Sequence, residues 1–153
     1  MKNSFTTESK ARLLDLLGRQ QGLFAEILAV TEKYTGLISA DEAEELDESI
    51  QVRQDIIGKI KGLHQESDPL MQSYISFSKS KEGKSIPEID SAAKRLRETI
   101  AECARLNDIS IAAAKEKLEE YSKDGDLKRK SRESIGLYIQ GLTNAPRHFD
   151  KMS

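Results

Sequence analysis

The sequence predicts an all-α protein, an elongated antiparallel three-helix bundle of coiled-coil type with a short additional C-terminal helix or flexible tail. Three observations predict it. Apolar residues recur at steps of three and four over long stretches, the spacing of one helix face. Two helix-start signals, Ser39-x-x-Glu42 and Ser85-x-x-Glu88, stand where later stretches open. Charged residues make up 33% and hydrophobic ones 37%, with no Trp and three Pro, a mixture that favours long helices over strands. The 153 residues fit a single bundle, residues 1–123, followed by a C-terminal segment, residues 124–153.

The first helix is expected from Thr7 to Thr35, with a seam at Leu13, Leu17, Gln20, Phe24, Ile27, Thr31 and Tyr34. Leu14, Leu16, Leu23, Leu28 and Val30 widen that seam beyond a two-helix stripe, so at least two partners should cover it. Gly36 is placed to end the helix in a left-handed conformation. The short link to the next capping box forces an antiparallel hairpin. The second helix, from about Ala40 to Gln65, opens with Asp41, Glu42, Glu44 and Glu45, whose charge suits the positive end of a helix dipole. Its apolar positions run Ala43, Leu46, Ile50, Ile57 and Ile60, with Arg53 at a seam position where its stem can lie on apolar surface.

Asp68-Pro69 is expected to break the second helix, because proline belongs in a first turn and not in an interior. Leu70 to Phe77 then read as a short amphipathic turn or two, and Ser78 to Ser85 as a linker. The third helix starts with Pro87 in its first turn and carries its seam through Ile89, Ala93, Leu96, Ile100, Cys103, Asn107, Ser110, Ala114, Lys117 and Tyr121. At 1.5 Å per residue it reaches roughly 50 Å and can lie beside the first helix. Beyond Asp124-Gly125, Leu127, Ser131, Ile135, Tyr138 and Leu142 again have helical spacing. Ile135, Leu137, Tyr138 and Ile139 crowd together there, outside the well-patterned bundle.

The net charge of −2, with both signs interspersed, provides no broad positive field for a phosphate backbone, so nucleic acid is not an expected partner. No uncharged stretch approaches the roughly 20 residues that span a bilayer, and the first ten residues hold no signal-peptide core. The expectation is a cytoplasmic protein with no membrane insertion, and the lone Cys103 suits a reducing compartment. No catalytic activity, metal or cofactor is expected. The di-iron bundles need Glu-x-x-His on two helices, whereas Lys61 precedes His64 and Ala145 precedes His148 at that spacing. Walker-type, G-x-G-x-x-G and C-x-x-C motifs do not occur. Cys103 lies on an apolar seam among Ile100 and Leu106, where a buried, inert thiol is expected. Asn107, on the same seam, either sets helix register or faces solvent.

The order of these segments resembles the FlgN-type flagellar export chaperones, with the FliT-type chaperones as near neighbours. The resemblance covers most of the chain. It is strongest in LLDLLGRQQGLFAEILAVTEKYTGLISADEAEELDESIQVRQDIIGKIKGL, where a leucine-rich helix meets a short link, an acidic opening and an Arg-containing second helix. AECARLNDISIAAAKEKLEEY is similar to the family's leucine-asparagine stretch, with Ser110 where a second asparagine often stands. Tyr138 and Gly141 in LYIQG resemble a tyrosine-then-glycine pattern one residue longer, and HFDKM resembles an Asp-Lys ending.

The resemblance implies a cytoplasmic chaperone of the flagellar type III export system. Such a chaperone binds the C-terminal helices of hook-filament junction proteins, delivers them to the export apparatus and prevents premature assembly. Terminal helices built to self-associate expose apolar stripes, and helix-in-groove binding covers such stripes reversibly. The family places recognition in the C-terminal part, which makes Ile135, Leu137, Tyr138, Ile139 and Leu142 the candidate partner-binding residues. The same residues would serve equally to complete the intramolecular bundle. The alternative reading is a coiled-coil adaptor or scaffold that buries its wide first-helix face in homo-oligomers.

Overall fold

Four helices make up the computed structural model, which describes residues 5–39, 43–80, 83–123 and 129–152. They are α1 (Thr7–Ser39), α2 (Ala43–Lys79), α3 (Pro87–Lys123) and α4 (Arg129–Met152), and no strand occurs among the described residues. The architecture is an all-α four-helix bundle. α1 packs on α2 and α3, and α4 packs on the same two helices, so α1 and α4 occupy one diagonal and α2 and α3 the other. Consecutive helices run antiparallel, as their short links require. At 37 residues, α2 and α3 are each about 55 Å long.

Every position of the expected α1 seam, from Leu13 to Tyr34, is buried. The α3 seam behaves alike, with Ala93 and Lys117 half-buried and the other eight positions buried. Thr6 caps α1, its Oγ1 accepting the Ser9 N–H at 3.0 Å. Gly36 does not end that helix, which continues to Ser39 because Leu37 and Ile38 still pack inward. Residues 40–42, including most of the Ser39-x-x-Glu42 box, lie outside the described residues.

Two expectations for α2 are corrected. Its inward positions are Ser49, Arg53, Ile56, Ile60, Ser67 and Tyr74, so Arg53 and Ile60 of the expected seam are buried whereas Ile50 and Ile57 are half-buried flanks. Buried serines do not register in an apolar pattern. The helix also runs through Asp68-Pro69 without a break. Pro69 and Gln65 both face solvent, so the carbonyl that loses its helical donor stays accessible to water. The interior proline costs about 3 kcal/mol. Burial of Tyr74, with Leu70, Met71 and Phe77 packed against the core, offsets it at roughly 1.5–3 kcal/mol per fully buried side chain.

The α2–α3 turn is accordingly tighter than a Ser78–Ser85 linker. Ser80 N–H bonds to the Phe77 carbonyl at 3.1 Å and Gly83 N–H to the Ser80 carbonyl at 3.2 Å. A Cβ on Gly83 would collide with the Phe77 carbonyl, so this turn requires glycine. α3 opens at Pro87 as expected, and Tyr74 fastens that end. Its Oη accepts the Ile86 N–H at 2.7 Å and donates to Asp90 Oδ1 at 2.7 Å. Phe5 stacks edge-on against Tyr74, closing this end of the bundle.

The C-terminal segment is neither short nor loose in its described part. α4 is 24 residues long and lies along the N-terminal half of α2 and the C-terminal half of α3. The interior therefore falls into two clusters. One, centred on Leu13, Phe24, Ile60 and Ile100, is built by α1, α2 and α3. The other joins Tyr34, Ile38, Ala114 and Tyr121 to Ile135, Tyr138 and Leu142 of α4.

Candidate partner-binding face on the fourth helix

α4 places its candidate residues on three different aspects of about two helical turns. Ile135, Tyr138 and Leu142, spaced three and four apart, point inward and are fully buried. Ile139 is half-buried against the second cluster. Leu137 points outward and is 55% exposed, one of two large hydrophobic side chains so exposed among the described residues, with Ile109 on α3 at 45%. The five residues are thus brought together along the chain but divided in space between core and surface.

Beneath them lies a layer of buried polar groups. Asn107 is 1% exposed, and its Nδ2 donates to the Leu142 carbonyl at 2.7 Å. Its Oδ1 accepts from Arg53 Nη2 at 3.3 Å, so one side chain joins α2, α3 and α4. Asn107 therefore sets register and does not face solvent. Thr35 Oγ1 donates to Ser110 Oγ at 2.8 Å, and Ser110 Oγ lies 2.9 Å from Tyr138 Oη. At the outer edge Ser134 Oγ donates to Asp47 Oδ2 at 3.3 Å. The side chains of Glu42, Glu44 and Glu45 lie outside the described residues.

Arg53 is 5% exposed, and its Nε has no hydrogen-bond partner among the described residues. Burial lowers its pKa, opposed by the nearby Tyr138 and Cys103. A guanidinium nevertheless stays protonated at neutral pH. Tyr138 is pushed upward by burial, against the pull of Ser110 and Arg53. Cys103 is 3% exposed and donates from Sγ to the Phe24 carbonyl at 3.5 Å, and burial pushes its thiol up to about 12.

Above this layer, α2 and α4 leave an open groove of about 380 Å³. Leu137 and Ile50 supply its apolar surface, and Asp47, Gln51, Gln54 and Gln140 its polar rim. Gly141 lowers one wall. Such a groove accommodates an amphipathic side-chain row and offers hydrogen bonds at its margin. Sequence spacing put Ile135, Tyr138 and Leu142 on one row but did not single out Leu137 as the exposed residue, because the face that α2 and α3 cover is a tertiary property. Ile50 was missed as a surface partner for the same reason.

Among the described residues no group of three or more His, Cys, Asp and Glu side chains is placed to hold a metal ion. No helix of the described residues is long and apolar enough to cross a membrane. Compared with known protein families, curated proteins and solved structures, the chain matches none.

Proposed function

We propose that this chain is a cytoplasmic chaperone of the flagellar type III export system that seats the amphipathic C-terminal helix of a hook-filament junction protein in the α2–α4 groove. The observation that carries the reading is Leu137, a large apolar side chain left 55% exposed beside Ile50 in an open groove with a polar rim. The FlgN-type resemblance of the sequence supports the choice of partner. An incoming helix would anchor one apolar row on Leu137 and Ile50, while the glutamine-rich rim bonds its polar flanks.

Calorimetric titration of a junction-protein terminal fragment into wild type and Leu137→Lys tests this. Because Leu137 is exposed, the variant keeps its fold, as circular dichroism will show. Placing an ammonium group on the apolar floor is expected to weaken binding by about tenfold or more. Unchanged affinity would move the site away from α4, and failure of wild type to bind either junction protein would remove the flagellar reading. Tyr138→Ala or Leu142→Ala is less informative, since each hollows the core as well as the neighbourhood of the groove.

A further inference from the structure

The outer face of the α1–α2 pair carries one pattern twice. In α1 it reads Arg19-x-x-Gly22-Leu23-x-x-Glu26, and in α2 Lys59-x-x-Gly62-Leu63-x-x-Glu66. Each has a cation, a Gly-Leu step and a glutamate at identical spacings. The helices are antiparallel, and two contacts bring their middles together. Gln20 Nε2 donates to Ser67 Oγ at 2.9 Å, and Arg12 pairs with Glu66 at 3.1 Å. The Arg19 end of one motif therefore lies towards the Glu66 end of the other, and Glu26 towards Lys59. All eight residues line a single open groove of about 550 Å³. Its floor is low because a Cβ on Gly22 or Gly62 would meet no atom within 4 Å. Leu23 and Leu63 are half-buried, and the four charged residues are exposed.

We propose that this groove is the contact surface of a symmetric homodimer, occupied by the same groove of a second copy. The argument is charge complementarity combined with local two-fold symmetry. A second copy can be laid face to face by a two-fold axis running either across the helices or along them. Across, each Arg19 meets the other copy's Glu26 and each Lys59 its Glu66; along, Arg19 meets Glu66 and Lys59 meets Glu26. Both arrangements place every cation over a carboxylate, as an isologous contact requires. A single foreign helix would find no preferred direction here, since each end of the groove offers one cation and one anion.

Nothing in the fold holds these charges back. Arg19 pairs with Asp15 at 3.1 Å and Arg12 with Glu66 at 3.1 Å, both in exposed pairs that contribute little to stability and are free to exchange partners. The glycines allow the two backbones to approach closely, with the leucines between them. Eight residues are fewer than the roughly 20–30 a side of a stable interface, so the dimer is a concentration-dependent one. It weakens as salt screens the four cross-pairs.

Sedimentation equilibrium of the full chain up to about 1 mM, where a millimolar dissociation constant is still detectable, is the first measurement. Wild type is expected to dimerise. Gly22→Leu/Gly62→Leu fills the groove without touching the bundle and should weaken the dimer at least about tenfold. The fourfold swap Arg19→Glu/Glu26→Arg/Lys59→Glu/Glu66→Lys inverts the pattern, so it should pair with itself yet form no mixed dimer with wild type in native mass spectrometry. A monomeric wild type at the highest concentration overturns the proposal. So does a filled variant that dimerises as well as wild type, or a swapped variant that mixes freely with it.

Discussion

Cys103 and Asn107 stand one turn apart on the inner face of α3 and illustrate opposite ways of burying polarity. The thiol is neutral, so burial disturbs only its ionisation, which is pushed from 9.0 to about 12. In the folded chain it stays protonated where the unfolded chain ionises. Its contribution to stability is therefore fully present below about pH 9 and is lost as the pH rises towards about 12. Urea midpoints taken across that window should fall for wild type more than for Cys103→Ala; parallel profiles would contradict this. Native Cys103 should also label far more slowly than in the unfolded chain. Asn107 satisfies both a backbone carbonyl and a buried guanidinium. Asn107→Leu removes both bonds at once and should cost about 2–4 kcal/mol. Adding Arg53→Met removes the stranded charge, so the double variant is expected to recover stability relative to Asn107→Leu. Additive losses in a denaturation cycle would show that the two side chains are not coupled.

Elements, unlike single side chains, reveal what periodicity can and cannot carry. In α1 and α3 the heptad seam and the buried face coincide because long helices covered on two sides must repeat their apolar residues at helical spacing. In α2 the rule holds at Arg53 and Ile60 but puts Ile50 and Ile57 too far inward and misses two buried serines. Ser49 and Ser67 lie inward, and Ser67 is there because it accepts the Gln20 amide, a contact 47 residues away in sequence. Pro69 misleads for a related reason, since a local cost of about 3 kcal/mol yields to packing that no local rule sees. The role of α4 was half legible: Ile135, Tyr138 and Leu142 have core spacing, but their docking depends on Asn107 and Ser110 reaching them from α3. Gly83 tests the turn that makes this topology possible. Gly83→Ala must displace the Phe77 carbonyl and should lower the melting temperature by several degrees, about 1–3 kcal/mol. An unchanged melting curve would show that the turn tolerates a side chain.

Across the whole molecule, the division of the interior into two clusters implies unequal stability along the bundle. The end built by α1, α2 and α3 is mainly apolar, from Leu13 and Phe24 to Ile60 and Ile100, with the buried Gln20 and Ser67 bonded to each other. The end closed by α4 shares its space with Arg53, Asn107, Ser110 and Ser134, which are hydrogen-bonded except at Arg53 Nε and contribute less net stability than apolar contact. α4 is also the shortest helix and packs along half of the bundle. Opening it exposes Tyr34, Ile38 and Tyr121 while leaving the first cluster intact. Such partial opening draws on the low end of the local stability range. Hydrogen exchange followed by mass spectrometry should therefore show amides of residues 135–142 exchanging well ahead of those of residues 13–27. If the groove beside Leu137 takes a helix, a bound fragment tightens α4 against α2 and should slow exchange in 135–142 with little effect on 13–27. Equal exchange at both ends of the free chain would mean that the four helices unfold as one unit. In that case α4 would be as fixed as the rest, and a partner would have to bind a surface already complete.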